Sequence, residues 1–269
     1  MSGFWEPFGF EFFRNGLTVA VLAGALCGLV GTFVVLRGMS YLGHGLSHAV
    51  FGGAALGSVV GVGYYVAAGV WGLASALVIG RVARRGVLRA DAVIGVVTTA
   101  SFAAGVAALS RWGQARRGLD AVLFGSILGV SRADVIAVGI IAVGVVVVVA
   151  ATYRALLFAT FDPEVARAAG ARVDRLDDLT MVLLALAVLG TMRVIGAVLV
   201  SAALVVPAAT TRLLTDRFGP MLVGGLGMLA SYHLDVPPGA AITLLGAAVF
   251  VGATVARSVA DSRPNRPQT

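Results

Sequence analysis

Long apolar runs recur along nearly the whole chain, and they constrain its fold more than any other feature. Nine are read: residues 13–37, 44–60, 62–84, 90–110, 132–154, 177–193, 195–214, 219–233 and 239–257. Most reach the ~18–20 residues that a helix needs to cross a ~30 Å hydrocarbon core. Backbone polar groups must be satisfied internally in lipid, so these runs are read as helices. Barrel strands would alternate over segments of about ten residues, and residues 145–151 do not alternate. The expected fold is therefore an all-α polytopic membrane protein with eight or nine transmembrane helices. Only 12% of the 269 residues are charged and 59% are hydrophobic. A soluble domain carries about 25% charge, so no large water-facing domain is expected. The longest polar stretch, 161–178, reads as a large loop.

Charge placement gives the expected orientation. The net charge is +7, and all twenty basic residues are arginine. They sit in short loops between apolar runs, which fits topology control and anionic headgroups rather than nucleic acid. The loop at 81–89 holds Arg81, Arg84, Arg85 and Arg89 and is placed inside. Alternation then puts fourteen arginines inside and six outside, as the positive-inside rule requires. It also makes 1–12 an N-terminal extracytoplasmic segment, 13–257 the transmembrane domain, 154–176 an inside loop and 258–269 a cytoplasmic tail. Glu6 and Glu11 stand where a signal peptide would be basic, so the first span is expected to act as its own uncleaved signal. Lysine-free, Arg- and Ala-rich usage hints at a high-GC bacterial genome.

Smaller features refine this picture. The segment 119–129 is apolar but too short to span; it reads as a re-entrant or interfacial helix outside, followed by the helix-start pattern Ser131-Arg132-Ala133-Asp134. The 219–233 run is also short for a span. Gly52, Gly53, Ala54, Ala55, Gly57 and Gly61 make one span nearly smooth, which suits close helix packing in lipid. Arg193 interrupts the run 177–214 and is read as a loop between two spans near the outer surface. Pro207 is read as a kink, with Thr210 and Thr211 available to freed carbonyls. Cys27 is the single cysteine, so neither an intrachain disulfide nor a cysteine-based metal site is available.

Three groups of residues could carry chemistry. His44 and His48, in YLGHGLSHAVFGG, are four apart and share one face of a helix. Two imidazoles so placed can share a divalent cation; equally, they can be interfacial histidines bonded to carbonyls. Ser47 beside them reads as a packing or backbone-bonding group. His233 and Asp235, in SYHLDVPPG, are either a cation ligand pair at a mouth or a polar turn capping the next helix. FDPEVARAAG reads as a short capped helix: Asp162 is the N-cap, Pro163 the first residue, Glu164 favours the positive dipole end and Gly170 suits the stop. That helix could lie on the membrane surface or dock into another protein. With no lysine the chain cannot build a P-loop, and no catalytic set is found. ATP hydrolysis, if used, belongs to another chain, and this chain is not expected to be an enzyme.

Four stretches in order, VGTFVVLRGMSYLGHGLSHAVFGGAALG, FATFDPEVARAAG, VIGAVLVSAALVVPAATTRLL and SYHLDVPPGAAI, resemble the permease subunit of bacterial zinc/manganese/iron ABC importers, the ABC-3 family. The resemblance covers about 16–257. It implies a type II importer-like permease in the bacterial cytoplasmic membrane, acting as a homodimer around the metal path. ATPase subunits would bind on the cytoplasmic side, and an extracytoplasmic metal-binding lipoprotein would dock above. It implies that the helix at about 162–170 is the coupling helix on the ATPase, with Asp162, Pro163, Glu164, Ala166 and Gly170 matching. The family usually places Asp then His, four apart, in the metal path; here both are His, at His44 and His48. The family commonly has Tyr at His233, and the run before it is shorter here. Imidazole suits Zn²⁺ while Mn²⁺ prefers oxygen, so the transported ion is expected to be zinc or manganese, with a lean to zinc. The alternatives are a permease for a metal chelate such as a siderophore or cobalamin, which would favour a wide, His-poor path, and a stand-alone secondary transporter or channel that needs no ATPase. A membrane-embedded enzyme would need clustered catalytic groups, and none is found.

Overall fold

The computed structural model describes residues 9–86, 88–112, 123, 125, 129–206 and 238–261, with the backbone alone at 238–242, 253 and 256–261. Eight helices are bounded there: α1 (Glu11–Leu36), α2 (Ser40–Val60), α3 (Tyr64–Arg84), α4 (Ala90–Trp112), α5 (Arg132–Phe161), α6 (Pro163–Ala168), α7 (Val173–Ile195) and α8 (Pro238–Asp261). A further helix runs from 200 to 206 at the edge of the described residues, among which there is no strand. Five helices, α1, α3, α4, α5 and α7, are long and apolar enough to cross a membrane. α2 has the length of a span, at 21 residues, but it carries two histidines, three serines and five glycines. It tolerates them because its neighbours cover most of its surface.

Packing around α2 follows from small residues. A methyl built on Gly52 would lie 2.2 Å from the Ser101 carbonyl oxygen of α4, and one on Gly105 2.8 Å from the Gly52 Cα. On the α3 side, a methyl on Gly57 would lie 2.2 Å from the Ala67 Cβ. Lipid offers no hydrophobic drive between helices, so backbone approach of this kind is what holds α2 to α3 and α4. α7 is the other buried span, and its packed face includes Leu184, Val188 and Met192. It joins α1, α3 and α5 into the main core.

The helix ends gather into two groups, as the alternation of spans requires. At one end Arg37, after α1, donates Nε to Thr160 of α5 (3.0 Å) and Nη1 to Asp177 of α7 (2.7 Å). There too Arg84 of α3 pairs with Asp178 of α7 at 2.5 Å. At the other end Tyr65 of α3, Asp134 of α5 and Arg193 of α7 meet, and Glu11 of α1 pairs with Arg132 of α5 at 2.7 Å.

Three expectations need correction. The span read as 132–154 continues as α5 to Phe161. Its 30 residues extend about 45 Å at 1.5 Å per residue, well past a ~30 Å core. The 154–176 loop is consequently mostly helix: α5 runs into α6, and α7 already begins at Val173. Arg193 is not in a loop either. It lies in the last turn of α7, where Asp134 supplies its counter-charge. The chain breaks three residues later, at Gly196, whose φ of 88° closes the helix. The expected breaks and short spans at Pro207, Thr210, Thr211 and 219–233 lie outside the described residues. So does most of 119–129, of which Leu123 accepts a hydrogen bond from the Val198 N–H (3.2 Å).

Candidate functional site

α2 starts at Ser40, so His44 and His48 stand in its second and third turns, one above the other. Their ring centroids are 4.8 Å apart at 86°. Tyr41 precedes them on the same face, 6.2 Å from His44. Residues 42, 43, 45–47, 49 and 50 are buried against other helices, whereas Tyr41 is 56% exposed and both histidines are half-buried. The three rings thus form a stripe that is only partly covered in the first three turns of α2. Ser47 is buried and donates to the His44 carbonyl (2.8 Å), the backbone role expected of it.

Each imidazole has a distinct environment. His48 packs edge-on against Phe102 of α4, with centroids 5.1 Å apart, and its Nδ1 is buried without a hydrogen-bond partner. A buried orphan nitrogen is uncommon and calls for an explanation. His44 Nδ1 lies 3.4 Å from the Ser201 Oγ. No cluster of three or more His, Cys, Asp or Glu side chains with metal-binding geometry occurs among the described residues. Among the described residues, the stripe offers a cation the two imidazoles. His233 and Asp235 lie outside the described residues.

α6 forms for the reasons its sequence suggests. Asp162 Oδ1 accepts from the Val165 N–H (3.0 Å), and Pro163 opens the helix. Gly170 takes φ +85°. The Ala171 N–H then returns to the Ala166 carbonyl (2.9 Å) and the Gly170 N–H to Arg167 (3.0 Å), the paired closure of a left-handed C-terminal stop. Ala166 is fully buried against Ala159 and Val173, which seats the helix on α5 and α7. Glu164, Val165 and Arg167 face outward. A cavity of about 570 Å³ lies between these two features; its lining includes Tyr41, Arg37, Asp91, Pro163 and Asp177. It reaches from α6 to the foot of the histidine stripe.

The family model for the ABC 3 transport family matches residues 9–257. The chain belongs to the ABC 3 transport family. The match takes in the α2 stripe, the cavity and α6 alike. The chain is 35% identical over 258 residues to the manganese transport system membrane protein MntC of Halalkalibacterium halodurans, covering 92% of this chain and 88% of that one. It is 34% identical to the manganese import system permease protein ScaB of Streptococcus parasanguinis, covering 90% and 89%. Among solved structures, PsaBC from Streptococcus pneumoniae in complex with Fab superposes with a TM-score of 0.81 at 31% identity, covering 91% of each chain. As an ABC 3 member with these spans, the chain is a multi-pass protein of the bacterial plasma membrane.

Sequence reasoning missed two participants. Asp134 was legible as a helix-start residue, and Ser131 does cap the helix, its Oγ accepting from the Asp134 N–H at 3.3 Å; the pairing with Arg193 spans 59 positions and has no local signature. Ser201 gives no signal at all in an apolar run, because its partner is 157 positions away.

Proposed function

We propose that this chain is the permease subunit of an ATP-driven importer of divalent transition-metal ions, with Mn²⁺ as the cargo. The observation that carries the reading is the His44–His48 pair on the half-covered stripe of α2, above a cavity that reaches α6. Two ATPase subunits supply the energy and press on α6, the Arg-rich end being cytoplasmic. An extracytoplasmic metal-binding protein delivers the ion at the Arg193 end. A second copy of this chain covers the stripe, so that the ion passes between two sets of imidazoles. Asp162, Pro163, Glu164, Ala166 and Gly170 form the coupling helix, in which the cap and the stop hold the outward face for the ATPase. His233 and Asp235 are assigned to the mouth of the same path.

Manganese leads because the MntC and ScaB relatives are named for it. This revises the lean to zinc drawn from imidazole softness. Zinc remains the second reading on one observation: the pair offers nitrogen donors, which Zn²⁺ favours more than Mn²⁺ does. A path site has to release what it binds, so weak or partial ligation is suited to transport.

The test is metal accumulation in cells co-expressing this chain with its ATPase and binding protein, compared for Mn²⁺, Zn²⁺ and Fe²⁺. Accumulation of Mn²⁺ above the others, lost in His48→Ala with assembly intact, supports the proposal. Normal uptake by His48→Ala refutes the ligand role, and uptake without the ATPase refutes the importer class.

A further inference from the structure

The helix that begins at 200 approaches α2 beside the histidines. A methyl built on Gly43 would lie 3.3 Å from Leu204 Cδ1, so the absence of a side chain there permits the approach. The Gly196 break sets where this helix starts: the Val200 N–H returns to the Gly196 carbonyl (3.1 Å). Ser201 therefore faces the ring of the next residue along α2, His44, with its Oγ 3.4 Å from Nδ1. Among the described residues, Ser201 is the hydrogen-bond partner of that ring.

We propose that Ser201 is a positioning residue for cation transfer: it accepts the Nδ1–H of His44 and thereby presents Nε2, bare, to the ion. The inference rests on His44 and His48 being the ion's ligands. A neutral imidazole keeps a proton on one nitrogen and coordinates through the other. The nitrogen held against Ser201 is Nδ1, so Nε2 is left for the cation. Outer partners of this kind fix both the tautomer and the ring plane, and their loss typically costs ten- to a hundredfold in metal affinity. Ser47, although closer in sequence, is committed to the His44 carbonyl and does not serve the ring. The arrangement also ties ligand geometry to the helix beyond Gly196. A shift of that helix against α2 would release the His44 ring and weaken its hold on the ion.

The test measures initial uptake of Mn²⁺ and of Zn²⁺ against concentration, in cells carrying the full complex, with the chain quantified in membranes. Ser201→Ala should raise the half-saturating concentration about tenfold at parental chain level. Ser201→Thr, which keeps the hydroxyl, should restore it. In a His44→Ala background, Ser201→Ala should add no further loss, since coupled residues are not additive. The proposal is overturned if Ser201→Ala transports as the parent while His44→Ala and His48→Ala do not. It is equally overturned if Ala and Thr at 201 impair uptake alike, or if Ser201→Ala lowers uptake by the same factor with and without His44. Normal transport by both histidine variants would instead sink the ligand reading on which Ser201 depends.

Discussion

Arg193 of α7 and Asp134 of α5 form an ion pair at the end of the bundle remote from α6. The Asp134 side chain is only 4% exposed, and it also accepts from Tyr65 (3.1 Å) and from the Ser131 hydroxyl (2.8 Å). The Arg193 guanidinium lies 5.0 Å above the Tyr64 ring. One carboxylate thus ties together α3, α5 and α7.

Arg193→Ala leaves that carboxylate buried without its cation. Hydrogen bonds to charged groups contribute about 2 kcal/mol net, and an orphaned charge costs more than a lost bond. We expect a clear drop in the thermal unfolding temperature of the detergent-solubilised protein. Arg193→Ala with Asp134→Asn should recover much of the loss, since the buried charge goes with its partner. Equal destabilisation in the single and double variants would show that the pair is not what matters there.

Gly52 makes a sharper prediction. Its added methyl would fall 2.2 Å from a backbone oxygen of α4, which cannot rotate away. Gly52→Ala should therefore abolish correctly folded protein, read as loss of the monodisperse peak in detergent chromatography. Gly139→Ala, where nothing lies within 4 Å, should elute as the parent. A well-folded Gly52→Ala chain would contradict the α2–α4 contact.

The α6 helix is sensitive at both ends. Asp162→Ala removes the N-cap, at about 1 kcal/mol, and Gly170→Val forces a branched residue to a positive φ, at about 1–2 kcal/mol. A six-residue helix has little reserve against such losses. The double variant should lose co-purification of the ATPase while its membrane level stays parental. Asp162→Ser, which can still cap, should retain the ATPase. Full ATPase retention by the double variant would argue that α6 is not the docking element.

Most of the bundle was legible because each span announces itself by length and hydropathy, and α6 because Asp162, Pro163 and Gly170 act within a few residues of one another. What could not be read were relations between spans. Nothing near Arg193 says that Asp134 faces it, so an arginine in an apolar run looks like a loop. Arg154 looks like the end of an apolar run, yet residues 155–161 after it are again apolar and the helix continues to Phe161. The histidine pair was visible from its spacing, whereas its neighbour Ser201 depends on how two helices cross.

The uninterrupted length of α5 has a mechanical consequence. It contains no proline, it passes directly into the Asp162 turn beneath it, and at its far tip Asp134 is bolted to α7. A stiff rod fastened at both ends has no joint in which a stroke can be absorbed. A displacement applied at its α6 end would therefore arrive at Asp134 as movement of the whole strut, carrying α7 with it.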